Sequence, residues 1–215
     1  MRPVILLDCD GPMADFTQAY LEALRLETGA SHAVGDVDRW DIHESPFFVE
    51  LARVHGADLR RRVETRIMQP GFCDGIAVVP GAQEMVGKLS ELGDVYVVTS
   101  PWDSSPTWMH ERLHWVAKHF PTIGKRRVIQ TAQKHLVRGD VFVDDKPSHI
   151  EDWSKAWPAG TPILFDMHHN RAEPVAFGVR GGWNDVLAAV EDVEMELRLF
   201  GRAGLHELRE RSAST

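Results

Sequence analysis

Cysteine is nearly missing from this chain, whose 215 residues contain only Cys9 and Cys73. Two thiols so far apart, in no metal-ligand spacing, exclude a disulfide framework and point to a reducing compartment, the cytoplasm. Basic residues are in deficit too: 24 Lys and Arg stand against 32 Asp and Glu, a formal net charge of −8. A protein that grips a nucleic-acid polymer wants the opposite balance, so no such partner is expected. A small anionic substrate stays open, because a metal ion and one or two lysines reverse the sign locally. No uncharged run approaches the ~18 residues of a membrane span. The opening residues MRPVILLDCD run from a short apolar stretch into acids, unlike a secretion signal. Internal repeats and low-complexity tracts are also lacking. The composition is that of an ordinary globular enzyme, 43% hydrophobic and 26% charged.

What is present is a rhythm. Five short aliphatic runs, at 3–8, 94–100, 126–131, 140–145 and 161–166, are near-continuous in apolar character rather than alternating. That pattern predicts parallel strands covered on both faces. Helical segments fall between and after them: 81–92, entered from Pro80 and stopped at Gly93; 105–120, with Ser105 as cap and Pro106 in the first turn; 147–157; and 183–200. The alternation predicts an α/β fold, a Rossmann-like doubly wound parallel sheet with its site at the carboxyl ends of the strands.

One interval breaks the rhythm. Residues 16–78 contain no confident strand but carry an amphipathic helix over 17–29, closed by Gly29, and one or two more over 48–67. The expected organisation is an α/β core of residues 1–15 and 79–190, a small inserted helical cap of residues 16–78, and a C-terminal tail, 191–215. Charged for the most part, the tail has apolar residues at Val193, Leu197 and Leu205; it reads either as a helix docked on the core or as a dimer contact.

The polar residues then collect. Asp8 and Asp10 end the first strand, Thr99 and Ser100 the second, and Asp144 and Asp145 the fourth, while Lys134 lies ten residues before Asp144. In a doubly wound sheet these ends converge on one crevice. Carboxylates crowded there repel unless a cation intervenes, and Mg²⁺ suits a few carboxylates plus a substrate phosphate.

The four clusters, in this order, resemble the motifs of the haloacid dehalogenase-like (HAD) superfamily: DCDGPMADF, VVTS, Lys134 and VFVDD. An Asp two residues after the first motif's leading Asp resembles the phosphatases and phosphomutases of that superfamily. Within it the chain is most similar to the 5′(3′)-deoxyribonucleotidases, from about residue 3 to 190, through LLDCDGPMADF, VVPGAQEMV, TSPW with HERLHWVAKHF, DVFVDDKP and LFDMHHN. Pro12, Arg112 (for Lys) and Ala132 (for Arg) depart from that family's pattern. The resemblance implies a Mg²⁺-dependent phosphomonoesterase acting on nucleoside monophosphates, and commonly a homodimer. Two alternatives stay open: a HAD phosphatase for another small metabolite such as a sugar phosphate, and a non-catalytic HAD-fold binding protein.

A phosphomonoester dianion resists an anionic nucleophile until its charge is neutralised. Asp8 is therefore expected to attack phosphorus, Asp10 to act as acid and then base, and Lys134 to pair with both phosphate and Asp8. Thr99 and Ser100 are expected to donate to phosphoryl oxygens, and Arg112, by resemblance, to reach the phosphate. The expected metal set is Asp8, Asp10 through its main-chain carbonyl, Asp144 and Asp145, the last by resemblance a direct ligand. Phe16, Trp40 and Trp102 are candidate walls for a nucleobase, where stacking contributes ~1–3 kcal/mol per base. Cys9 is expected to pack, and Trp108, Trp115, Trp153, Trp157 and Trp183 to belong to the core. His168 and His169 are expected to serve in a loop or behind the metal ligands.

Overall fold

The computed structural model describes residues 1–175 and 177–213. Six strands, β1 (Val4–Leu7), β2 (Asp94–Thr99), β3 (Val128–Gln130), β4 (Val141–Asp144), β5 (Thr161–Phe165) and β6 (Val179–Gly181), form one sheet in the order β3-β2-β1-β4-β5-β6. Every pairing is parallel. Ile5, Leu7, Val97, Val141 and Val143 are completely buried, which is why their runs show no polar alternation. The chain reverses direction across the sheet between β1 and β4. Their carboxyl ends flank the crevice where such sheets bind ligands.

All five expected strands occur, and β6 adds a sixth. It was missed because it is three residues long, follows Gly178 and leaves Val179 half exposed, too little for any periodicity to show.

The helices are α1 (Phe16–Thr28), α2 (Pro46–His55), α3 (Leu59–Ile67), α4 (Ala82–Leu92), α5 (Trp108–His119), α6 (Pro147–Ala156) and α7 (Trp183–Ala213). Asp15 caps α1 by accepting the Gln18 N–H, and Gly29 ends it in the left-handed conformation, φ 75°. The α5 helix starts three residues later than its sequence signals suggest. Ser105 does not cap it; its hydroxyl is turned to the carbonyl of Met68 at 3.3 Å. Pro106 therefore lies outside the helix.

The 16–78 segment is stitched to the core at both ends. Ala14 bridges Val78, Asp15 N–H donates to Ala77 O at 2.9 Å, and Val79 N–H donates to Met13 O at 2.9 Å. Its helices α1 and α3 pack together, and Leu24, Val63 and Ile67 join one hydrophobic cluster with Leu7 and Val97 of the sheet.

The tail docks on its own core. Val193, Leu197 and Leu205 are buried, α7 bends at Gly201 (φ 66°), and beyond the bend Arg202 pairs with the buried Asp140 at 2.7 Å. Residues 214–215 of the expected tail lie outside the described residues. Among the described residues no helix is long and apolar enough to cross a membrane.

Candidate active site

The crevice above β1 and β4 opens into a cavity of about 320 Å³. Asp8 directly follows β1, and its N–H donates to Val143 O at 2.8 Å, tying its position to β4. Asp144 closes β4. Lys134, in a short 3₁₀ turn between β3 and β4, reaches between them, 2.8 Å from Asp8 Oδ1 and 2.7 Å from Asp144 Oδ2. All three are buried, Lys134 to within 2% of completely.

An ammonium with no water must be neutralised by its neighbours, and this one has two carboxylates. Burial works against its charge, yet Asp144 and Asp8 hold the Lys134 pKa above its ordinary value. Burial likewise opposes ionisation of Asp144, but Lys134 and His149, 3.1 Å away, keep its carboxyl below the usual range. Asp8 is different. Burial pushes its pKa well up, Lys134 offsets only part, and Asp144, Asp145 and Asp10 push it further. One lysine does not compensate the cluster, which therefore has the charge deficit that a cation would fill.

The geometry for such a cation is present. Asp8, Asp144 and Asp145 each offer an oxygen, all within 4.8 Å of one another and all on buried residues. Asp145 is held at its main chain and has a histidine beside its carboxylate. Asn170 donates to its carbonyl at 2.8 Å, and His169 Nε2 stands 3.1 Å from its Oδ2.

Gly11 leaves it room. At φ +93°, a Cβ there would lie 2.4 Å from Asp145 Oδ2. Gly11→Ala is accordingly expected to strain the backbone and push the Asp145 carboxylate aside. Misplacement on the order of 1 Å costs about 10²-fold in rate, so turnover at this site should fall by about that factor in the variant with its circular dichroism unchanged. A wild-type rate would mean that the Asp145 position does not matter.

Asp10 faces the cavity but stands apart from the three clustered carboxyls. Arg112 Nη2 grips both its oxygens, at 2.6 and 2.9 Å, while Nη1 sits 3.0 Å from Cys9 Sγ. Arg112 is completely buried, with the rings of Trp108 and Trp115 5.3 and 5.6 Å from its Cζ. Arg112, expected to reach the phosphate, lies behind Asp10 and is not among the residues that line the cavity. Burial raises the Asp10 pKa and Arg112 opposes the rise without cancelling it. Cys9 packs as expected, its thiol pushed up by burial.

Ser100 lines the cavity. Thr99 is completely buried, and its Oγ1 has no hydrogen-bond partner among the described residues. Phe16, Trp102 and Trp108 form an aromatic side, ring centroids 5.9–6.2 Å apart. Trp108, expected in the core, is both buried and part of this wall. Trp40 is half exposed at the rim, with Lys146 Nζ 3.5 Å from the centre of its ring.

Several lining residues escaped the sequence reading: Tyr20, Asp41, His43, Arg60, Glu64 and Lys146. Tyr20 had a signal, since it follows Phe16 by four residues and so shares its face of α1. Asp41 and His43 had only their place in a polar stretch, and Lys146 its place after the acid pair.

Over residues 2–191 the chain matches the family described as 5′ nucleotidase, deoxy (pyrimidine), cytosolic type C protein. A candidate 5′(3′)-deoxyribonucleotidase of Bordetella bronchiseptica is 32% identical over 169 residues, 78% of this chain and 86% of that protein. A Staphylococcus epidermidis protein of the same description is 26% identical over 200 residues, 90% and 98% of the two chains. Among solved structures, a haloacid dehalogenase-like hydrolase of Burkholderia xenovorans superposes with a TM-score of 0.56 at 16% identity, covering 88% of this chain and 97% of the other. A HAD hydrolase of Bacillus subtilis bound to magnesium gives 0.53 at 14% identity, with 88% and 99% covered. At such identities the superpositions establish the fold alone.

Proposed function

The chain belongs to the cytosolic type C 5′-nucleotidase family and is a phosphoric monoester hydrolase; from that premise we propose that it hydrolyses nucleoside monophosphates, with Mg²⁺, through an aspartyl-phosphate on Asp8. The observation that carries this reading is Asp8 itself: it shares a buried lysine with Asp144 at the floor of a cavity that has an aromatic side.

The donor set is three carboxylates, hard oxygen ligands of the kind Mg²⁺ takes together with a substrate phosphate. Asp8, Asp144 and Asp145 would hold the ion, with the Asp10 carbonyl as a further ligand. When bound it supplies charge neutralisation for the carboxylates and the phosphoryl oxygens. The magnesium of the Bacillus subtilis hydrolase supports the choice of ion.

In the reaction an oxygen of Asp8 bonds to phosphorus as the bond from phosphorus to the nucleoside oxygen breaks. The leaving oxygen takes a proton from Asp10, whose raised pKa favours holding one. Water then attacks phosphorus, gives its proton back to Asp10, and releases Asp8 and inorganic phosphate. Arg112, bidentate on Asp10, keeps that carboxyl aimed through both half-reactions. Lys134 fixes the rotamer of Asp8 and adds positive charge beside the phosphoryl group. Thr99 and Ser100 donate to its oxygens, and Phe16 and Trp102 flank the nucleoside.

The test is a phosphate-release panel of nucleoside monophosphates and sugar phosphates, with Mg²⁺ and with EDTA. Nucleotides should be turned over and EDTA should abolish release. Release confined to sugar phosphates would refute the substrate, and an EDTA-resistant rate would refute the metal.

A further inference from the structure

Three of the four carboxylates at the floor of the cavity are fastened by donors. Asp8 accepts from the Cys9 N–H at 2.7 Å and stands 2.8 Å from Lys134 Nζ. Arg112 donates to both oxygens of Asp10. Asp144 accepts from Lys134 at 2.7 Å and from the Lys146 N–H at 2.9 Å, with His149 Nδ1 beside both its oxygens. The exception is Asp145. Among the described residues its side chain has a single ion-pair neighbour, His169, whose Nε2 stands 3.1 Å from Oδ2. That nitrogen is buried, and among the described residues it completes no hydrogen bond. Buried polar atoms are rarely left so, and one that is calls for a cause.

The way the imidazole is mounted makes its approach to Asp145 a built feature. Asn170, the next residue, donates from Nδ2 to the carbonyls of both Asp145 and Phe165, each at 2.8 Å. Arg180 Nη1 in turn donates to the Asn170 carbonyl and to its Oδ1, each at 2.6 Å. The 168–170 turn therefore hangs from the ends of β4 and β5, and His169, only 7% exposed, is carried with it. A carboxylate only accepts, whereas an imidazole N–H donates. The two groups are thus complementary and within hydrogen-bond distance, and a small rotation of either brings them into line.

We propose that His169 is a positioning residue of the metal site: by donating from Nε2 to Asp145 Oδ2, it holds that carboxylate ready to take a divalent cation together with Asp8 and Asp144, and so sets the affinity of the site. Carboxylates that hold a metal are themselves held by outer hydrogen bonds, and loss of such a partner typically weakens metal binding about 10–100-fold. Asp144 has three partners to share that task, whereas Asp145 has His169 alone among the described residues. The inference rests on the metal of the proposed function and adds the residue that tunes it.

The experiment titrates Mn²⁺, without substrate, into metal-free protein and follows the free ion by electron paramagnetic resonance. His169→Leu should weaken binding by about 10–100-fold. His169→Gln, whose side-chain amide can place an N–H near the position of Nε2, should recover most of that loss. Circular dichroism in EDTA checks that both variants are folded. Should either fail to fold, ¹⁵N spectra of the wild type with Mg²⁺ decide independently, with the hydrogen expected on His169 Nε2. Wild-type affinity in the Leu variant, a Gln variant as weak as the Leu variant, or a ring with no hydrogen on Nε2 would overturn the proposal and leave the nucleotidase reading intact. A wild-type protein that binds no Mn²⁺ would overturn the metal itself, and this proposal with it.

Discussion

Asp8→Asn should abolish phosphate release and, in EDTA, raise the melting temperature. Asn keeps the shape of the side chain, and its Oδ1 can still accept from the Cys9 N–H, which donates to Asp8 Oδ1 at 2.7 Å, and from Lys134. Only the negative charge and the nucleophilic oxygen are lost. Loss of a nucleophile costs about 10⁴–10⁶ in kcat in well-studied hydrolases, so activity should fall below detection. The stability gain follows from linkage. Burial, with the neighbouring carboxylates, puts the folded-state pKa of Asp8 above its ordinary value, so the folded protein binds its proton more tightly than the unfolded chain does. Stability due to this group is therefore greatest in acid and falls as pH rises past about 3.9, where the unfolded carboxyl ionises. The variant lacks this loss. Its advantage should be nil near pH 3.5 and should widen toward neutrality, by about 2–4 °C for each kcal/mol relieved. Saturating Mg²⁺ should narrow the gap by stabilising the wild type. A variant less stable than wild type at pH 7 in EDTA would contradict the charge deficit assigned to the cluster, and residual turnover above a few per cent would remove Asp8 as nucleophile.

The division between what could and could not be read from the sequence has a physical basis. Asp8, Thr99, Ser100 and Asp144 were legible because each ends a buried strand or follows one directly, and parallel topology converts that position into a place in space. Lys134 was legible through its offset from Asp144. The wall of Tyr20, His43 and Asp41 was not, since it is assembled by packing α1 against loop residues more than 20 positions away. No periodicity encodes that meeting. The burial of Arg112 was hidden for a related reason. On a helix surface a basic residue reads as a solvated charge or a ligand contact, and its burial depends on Trp108 and Trp115 closing around it. β6 went unseen because a three-residue strand with an exposed Val179 carries no pattern of its own.

Lys134→Met should produce the largest loss of stability of any single substitution at this site. The lysine is buried between Asp8 and Asp144, and methionine replaces its stem in volume without its charge. Two carboxylates would then face each other with only His149, 3.1 Å from Asp144, to offset their charge. Removing one partner of a buried pair typically costs about 3–5 kcal/mol, which for a chain of this size corresponds to a fall of about 6–20 °C in melting temperature. The pH dependence separates this cause from simple loss of packing. In the wild type the folded-state pKa of Asp144 lies below its ordinary value, so its contribution is present above about 3.9 and is lost as pH falls through the lowered pKa. In the variant both carboxyls lose the lysine, Asp144 keeping only His149, so their folded-state pKa values rise and stability falls as pH climbs. The deficit should therefore be small near pH 3.5 and largest at pH 7 in EDTA. Adding Asp144→Asn should recover part of it, because one of the two facing charges is gone. A deficit that stays constant from pH 3.5 to 7 and ignores the second substitution would mean that Lys134 serves by packing alone. In that case the electrostatic account of the site, including the need for a cation, would lose its main support.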